Sequence, residues 1–372
     1  MVKIGITGQN GFIGSNLYNR ISLSKDRFQL IPFEKEFFDE PDALNKWVAE
    51  CDVVVHLAGL NRSSNPNEIL ETNLRLATDL ITALRNKKNP THLIFASSTQ
   101  EEEDNAYGNS KRKARELFTD WSKETGSVFS GLIISNVFGP FGKPKYNSVV
   151  ATFSDLLCSG GMPEILVDKK LNLIYVDDLC KEIIDCIINK TNEPKHVIKA
   201  TDSFLVTEIL AKLMNFQSLY CDKGIIPALD DKFSIDLFNT FRSYINPESF
   251  FPYKLKRNED NRGVFIELVK LHSGGQISFS TTKPDIVRGN HFHTRKVERF
   301  AVIKGKAVIE FRKINTDKVY TFHLNGDEPS YVDMPIWYTH NIKNVGSDEL
   351  FTVFWINEFY DEANPDTYFE NV

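Results

Sequence analysis

Two histidines one residue apart, His291 and His293, are followed by Glu298 and, further along, by His340. On a strand, side chains alternate with period two, so H-x-H points both imidazoles to one face. Three imidazoles and a carboxylate form a donor set for Zn²⁺ and other first-row divalent ions. His323 stands outside this spacing and reads as an ordinary strand residue. A second pattern is Tyr107-Gly108-Asn109-Ser110-Lys111. Four apart on a helix, the phenol and the ammonium share a face. The ammonium there is expected to draw the phenol down from its ordinary value of about 10. Such a tyrosine protonates a carbonyl oxygen as hydride arrives, or takes the proton in the reverse direction. Ser97-Ser98-Thr99 precedes it, with a hydroxyl placed to orient the same carbonyl. The third pattern is Gly8-Gln9-Asn10-Gly11-Phe12-Ile13-Gly14, where glycines let a backbone approach a pyrophosphate seated on a helix N-terminus.

These groups need elements to hold them. In the first half, strand candidates Val2–Thr7, Phe28–Phe33, Asp52–Ala58, His92–Ser97 and Val128–Ile134 alternate with helical stretches such as Asn73–Arg85 and Lys111–Thr125. The alternation predicts right-handed βαβ units and a parallel sheet covered on both faces. Thr207–Met214 and Phe233–Tyr244 read as further helices. From about residue 250 the texture changes to short strands: Gly263–Val269, Gln276–Thr281, Arg299–Ile303, Ala307–Lys313, Lys318–Leu324, Tyr331–Met334 and Leu350–Asn357. Gly, Asp, Asn and Pro turns separate them, the pattern of a β-sandwich or small barrel. The boundary is expected at Asn246-Pro247, giving domains 1–246 and 247–372.

The composition excludes several classes. The 372 residues are 41% apolar and 25% charged, with 20 glycines and 15 prolines, which is ordinary for a globular protein and neither disordered nor collagen-like. Acidic residues outnumber basic ones 50 to 44, so the net charge of -6 gives no electrostatic case for nucleic acid. No apolar run reaches the roughly 20 residues of a membrane span, and Met1–Gly8 reads as a strand rather than a signal peptide. Five cysteines without a C-x-x-C pair are expected to be free thiols in a reducing, cytoplasmic compartment.

Residues 1 to 245 resemble the extended short-chain dehydrogenase/reductase family, through the glycine loop, Asp52-Val-Val-Val-His-Leu-Ala-Gly59, Asn73, the Tyr107/Lys111 pair, Ser135-Asn136-Val-Phe-Gly-Pro140 and Tyr175-Val-Asp-Asp178. That resemblance implies a Rossmann-like α/β fold and a catalytic triad of Ser98, Tyr107 and Lys111. It places the cofactor against Gly8, Asn10, Gly11, Phe12, Ile13, Gly14, Leu57, Ala58, Gly59, Asn73, Tyr107 and Lys111, and begins the loop that touches a nucleotide sugar at Asn136. Isoleucine at 133 or 134 stands where many members carry an arginine. Glu34 and Lys35, side by side after the second strand, leave NAD and NADP both open.

The second half resembles the cupin family, an all-β jelly roll. The carriers are H-x-H-x4-E-x6-G, from His291 to Gly305, and P-x4-H-x3-N, from Pro335 to Asn344. Trp337 replaces the usual glycine of the second motif. Asp260–Glu267 and Val287-Arg-Gly-Asn-His291 are similar to the sugar 3,5-epimerase group of cupins, whose Arg-Gly-x-His supplies a base. Here His291 also belongs to the H-x-H pair, and the ligand role is preferred to the base. Taken whole, with Lys143–Phe153 and Pro365–Phe369, the chain resembles the CapF-type capsular polysaccharide enzymes. The resemblance implies a cytoplasmic bifunctional enzyme of the UDP-N-acetyl-L-fucosamine pathway. It would invert C3 of a UDP-2-acetamido-2,6-dideoxy-4-ketohexose and reduce C4 with NADPH, giving UDP-2-acetamido-2,6-dideoxy-L-talose. One divalent metal, zinc first, is expected on His291, His293, Glu298 and His340, and Lys143, Asn147 and Ser148 are the further candidates for substrate contact. A homodimer or higher homo-oligomer is expected through the barrels, with the aromatic tail Phe351–Tyr360 available for exchange. Two other assignments use the same motifs: a 4-epimerase or 4,6-dehydratase that retains its NAD, and a non-catalytic redox or ligand sensor.

Overall fold

The computed structural model describes residues 1–87, 89–261 and 263–372. Arg262, inside the epimerase-like segment Asp260–Glu267, lies outside the described residues. By contact, the chain divides into two compact units: residues 1–149 with 167–206, and residues 150–166 with 207–372. This partition differs from a single cut at residue 246, because helices between 206 and 250 are tied to the strands that follow. Arg242 Nη2 donates to Met334 O at 2.9 Å, Asn239 Nδ2 to Arg295 O at 2.9 Å, and the Tyr220 hydroxyl to Asp333 Oδ2 at 2.7 Å.

The first unit is built on β1 (Val2–Thr7), β2 (Phe28–Ile31), β3 (Val53–His56), β4 (His92–Ser98) and β5 (Phe129–Ile134), with Glu193–Val197 at the far edge. The strands run parallel in the order β2-β1-β3-β4-β5 and then Glu193–Val197. β3, β4 and β5 are buried along their whole length, which is why they read as continuous apolar runs rather than alternating ones. Helices α1 (Phe12–Ser22), α2 (Pro41–Glu50), α3 (Pro66–Arg85) and α4 (Ala106–Thr125) complete the layers. α3 and α4 extend several residues N-terminal to the periodic stretches that reveal them, because Asn65 with Pro66 and Asn105 supply their starts. β1 lies between β2 and β3, so the chain order reverses there and the loops after β1 and β3 flank one crevice.

The second unit contains two five-stranded antiparallel sheets. One runs Tyr253–Lys254, Ser330–Met334, Glu298–Lys304, Leu350–Ile356, Gln276–Thr282; the other Val319–Asn325, Lys306–Lys313, Tyr338–Asn344, Val287–Phe292, Tyr368–Phe369. Ala301, Val302, Ile309, Phe311, Val332, Ile342 and Leu350 are buried in one core, as a jelly-roll requires. Arg299 is also buried: its guanidinium forks onto Asp333 at 2.8 and 2.9 Å and lies 3.5 Å over the Tyr331 ring. Leu350–Ile356 pairs on both sides, so the segment Phe351–Tyr360 offered for exchange between subunits begins inside the sheet. The edges of that sheet are Tyr253–Lys254 and Gln276–Thr282, the latter with Ile277 and Phe279 exposed. All five cysteines are free thiols, and no helix among the described residues is long and apolar enough to cross a membrane.

Candidate functional site

In the first unit the glycine loop joins β1 to α1. Gly11 precedes α1 with no side-chain cap, which leaves the first-turn N–H groups available to an anion. A Cβ on Gly14 would lie 2.1 Å from the Gly8 carbonyl oxygen, so only glycine lets the helix start so near the strand end. Facing it, Leu57 N and Ala58 N donate to the backbone oxygen and Oγ1 of Thr7, both at 3.2 Å, which fixes the loop Leu57–Gly59 against Gly8. Thr7 Oγ1 also bonds His56 Nδ1 at 2.7 Å, and burial pushes that imidazole down to about 3, so it stays neutral. Asn73 is committed as a clamp: Oδ1 accepts from Leu60 N at 2.7 Å, while Nδ2 donates to Leu60 O at 3.0 Å and Ser110 Oγ at 2.9 Å. It therefore holds the loop after β3 to α4. After β2, Phe33 N donates to Gln9 Oε1 at 3.2 Å, and Lys35 pairs with Glu36 at 3.7 Å.

Ser98, Tyr107 and Lys111 meet where β4 ends and α4 begins. Asn105 caps α4 by accepting from Gly108 N at 2.8 Å. A Cβ on Gly108 would stand 1.9 Å from Gln100 O, so glycine after the tyrosine is what lets α4 close on the strand end. Lys111 Nζ is buried, donates to Ala96 O at 2.9 Å and lies 5.8 Å from the Tyr107 ring centre. Burial lowers Lys111 to about 8, against the pull of Glu101. Tyr107 runs contrary to expectation. Burial, then Tyr146, raise its phenol to about 12, and the hydrogen bond with Ser98 offsets only part of this. The lysine's ammonium is spent on a carbonyl, and desolvation dominates. The phenol is thus held in its proton-donating form throughout the neutral range.

Around this centre lie residues the sequence did not single out. Glu101 is buried, receives Ser97 Oγ, and is gripped by Arg115 Nε and Nη2 at 2.8–3.0 Å, which ties β4 to α4. Arg62 Nη1 donates to Lys145 O at 3.3 Å and Tyr146 O at 3.1 Å, pinning the segment that carries Lys143, Asn147 and Ser148. Lys143 lies 5.3 Å over the Tyr146 ring, and Asn147 is exposed. Asn136 Nδ2 donates to Asn172 O at 3.1 Å, at the start of a short strand paired with Lys170–Tyr175.

In the second unit His291, His293, Glu298 and His340 converge: one donor atom from each lies within 4.8 Å of all the others. His291 and His340 are cross-strand partners, and Glu298 opens the strand Glu298–Lys304. Both strands bearing the outer histidines, Val287–Phe292 and Tyr338–Asn344, were absent from the sequence-based strands because Gly, Asn, Thr and Lys dilute their apolar pattern. Glu298 Oε2 stands 2.9 Å from His293 Nε2 and 3.4 Å from His340 Nε2. Donors of a tetrahedral site with bonds of about 2.0–2.1 Å stand about 3.3–3.4 Å apart, so the set fits. His340 Nε2 is buried and makes no hydrogen bond, an orphan that a cation would satisfy. Burial alone would raise the Glu298 carboxyl, but the two imidazoles beside it outweigh that and hold it below the carboxylate range. His291, half-buried, is lowered to about 4 by burial and by its two imidazole neighbours, so it is a neutral donor.

Trp337 occupies the place of the missing motif glycine at φ +63°, a conformation that costs a side-chain-bearing residue about 1–2 kcal/mol. The indole is 4% exposed and stacks on Phe292 at 5.7 Å, while Trp337 N donates to His293 O at 2.8 Å. Losing a buried aromatic costs about 3–5 kcal/mol. Trp337→Gly should therefore destabilise the protein by about 1–4 kcal/mol despite the relieved backbone, read from the urea midpoint.

Residues 4–199 match the NAD dependent epimerase/dehydratase family, and residues 258–368 the polysaccharide biosynthesis C-terminal domain. A UDP-2-acetamido-2,6-beta-L-arabino-hexul-4-ose reductase from Pseudomonas aeruginosa is 33% identical over 99% of this chain and 98% of its own length. The crystal structure of the capsular polysaccharide assembling protein CapF from Staphylococcus aureus is 32% identical, covers 100% of both chains and gives a TM-score of 0.63. CapF crystallised with the inhibitor 3-isopropenyl-tropolone is 30% identical at full coverage of both chains, with a TM-score of 0.59.

Proposed function

We propose, for a chain that belongs to the NAD dependent epimerase/dehydratase family in its CapF-type form, that it epimerises and then reduces a UDP-linked 4-ketosugar. The substrate is a UDP-2-acetamido-2,6-dideoxy-4-ketohexose, inverted at C3 by the second unit and reduced at C4 by the first. The product is UDP-2-acetamido-2,6-dideoxy-L-talose, used for capsular or surface polysaccharide. The observation that carries the reading is the presence in one chain of Ser98, Tyr107 and Lys111 at a strand end and of His291, His293, Glu298 and His340 at one point of a barrel. The relative from P. aeruginosa is named for a 4-ketosugar of this kind and for its reduction, which supports the substrate class.

NADPH would be held along Gly8–Gly14 and Leu57–Gly59 and, when bound, would supply the hydride to C4. Ser98 orients the C4 carbonyl, and Tyr107 donates the proton to its oxygen. A phenol at about 12 suits this direction, because reduction needs the donor form while oxidation needs a phenolate. Lys111, charged below about 8, stabilises the negative charge that develops on Tyr107 as its proton leaves. The rate should therefore fall as pH rises through about 8 and Lys111 loses its proton, while Tyr107 sets no limit there. A pH profile of kcat/KM for the ketosugar, read from NADPH oxidation at low ketosugar concentration, checks this; a flat profile to pH 10 would contradict it. One NADPH should be consumed per ketosugar, whereas an enzyme retaining its NAD would show no net consumption.

In the barrel, His291, His293, Glu298 and His340 would hold one divalent ion, zinc first, with His291 at the more open side. When bound, it supplies Lewis-acid polarisation of the C4 ketone, which acidifies the proton on C3. A tropolone carries two adjacent oxygens suited to chelating a cation, and its presence on the CapF relative supports a metal here. The exposed apolar residues Ile277 and Phe279 on an edge strand support a homodimer, to be checked by sedimentation against the 42.5 kDa monomer.

A further inference from the structure

The segment that follows the last long strand ends against the metal motif. Asp366 is 3% exposed and holds φ +43°, a left-handed conformation for a residue with a side chain. Its carboxylate takes Thr294 N at 3.1 and 3.2 Å, Thr294 Oγ1 at 2.7 Å, Arg295 N at 3.0 Å and Lys296 N at 3.2 Å. Those donors are the turn between His293 and Glu298. The backbone oxygen of the same residue accepts from His293 Nδ1. That bond fixes the ring so that Nε2 faces Glu298 Oε2 at 2.9 Å. Two further bonds lock the tail in place: Lys296 Nζ donates to Pro365 O at 2.5 Å, and Arg295 Nη2 donates to Asn364 O at 3.0 Å.

We infer that Asp366 is a positioning residue of the metal site, its carboxylate shaping the His293–Glu298 turn while its carbonyl sets the tautomer and aim of His293. A ligating histidine is oriented by whatever takes its other ring N–H, and loss of such a partner costs about 10–100-fold in metal affinity. Aspartate is the residue that does both jobs here. Its two oxygens collect several converging N–H groups, and the left-handed backbone that aspartate tolerates turns the carbonyl back onto His293. The inference rests on the metal reading above, but the two fail separately.

The test loads full-length protein with Zn²⁺ alone and measures its dissociation constant by competition with a chelating dye, beside the visible spectrum of the Co²⁺ form. Asp366→Ala keeps the backbone carbonyl but removes the carboxylate that holds the His293–Glu298 turn and the left-handed backbone against it, so the carbonyl should drift off His293, the constant should rise about 10–100-fold and the tetrahedral cobalt bands should weaken. Asp366→Asn, which keeps one acceptor oxygen, should recover part of both. Should Asp366→Ala not fold, Thr294→Val removes one donor onto the carboxylate, and a smaller loss of three- to ten-fold is expected. A change below three-fold with an unaltered cobalt spectrum overturns the inference, as does failure of all three variants to fold, which would make Asp366 a residue of the fold alone. Failure of the unaltered protein to bind Zn²⁺ would instead overturn the metal reading beneath it.

Discussion

Replacing Tyr107 by phenylalanine is expected to slow NADPH oxidation about 10²–10⁴-fold, the usual worth of a positioned general acid. Burial and Tyr146 raise the phenol to about 12, and it bonds Ser98, so in the proposed reaction its hydroxyl would supply the proton to the carbonyl oxygen. Phenylalanine keeps the ring and removes only that hydroxyl, so NADPH affinity should stay within a few-fold. On the proposed division of labour, exchange of the C3 proton with solvent is assigned to the other unit and should persist within two-fold, read by deuterium incorporation. Loss of exchange in this variant would sink the division of labour between the two units.

The converse variant is Glu298→Gln. The carboxylate lies between His293 and His340 at 2.9 and 3.4 Å and is held ionised by them. A neutral amide of the same size takes away the one negative donor, leaving three imidazoles to bear the cation's charge. Bound zinc should fall from one per chain to less than about a tenth, and C3 exchange should slow by at least about 100-fold, as expected when a Lewis acid leaves an enolisation. NADPH consumption with a ketosugar already inverted at C3 should be unaffected. Elemental analysis showing full zinc together with normal exchange would contradict this. A chelator gives the companion result: exchange stops with little change in Tm if the ion acts on the ketone. If the ion holds the barrel together, Tm falls by several degrees and exchange fails only with the fold.

Much of this was legible because periodicity carries it. The spacing of His291, His293, Glu298 and His340 marks them as one donor set, and the structure gathers all four at one point, although His293 lies just past the end of the strand Val287–Phe292 rather than on it as period two assumes. The glycine loop and Tyr107/Lys111 are legible because Gly14 and Gly108 meet backbone oxygens that no other residue tolerates. What stayed hidden depends on burial or on partners far apart in sequence. The height of the Tyr107 phenol follows from desolvation, which spacing does not encode, so the expected lowering by Lys111 is reversed. Asp366 meets Thr294 across 72 residues, and Arg62 meets Tyr146 across 84. Trp337 lacked any local signal that an αL position would be kept by a tryptophan; stacking on Phe292 explains it.

The most direct test of the account mixes the unaltered protein with NADPH and the UDP-linked 4-ketosugar in D₂O, and follows NADPH absorbance and product deuterium together. Inversion at C3 by one unit and reduction at C4 by the other predict one NADPH oxidised per sugar and one deuterium at C3 of the inverted product, with C4 carrying the protium of the hydride. Stoichiometric NADPH oxidation that leaves C3 protonated and unchanged in configuration would contradict it.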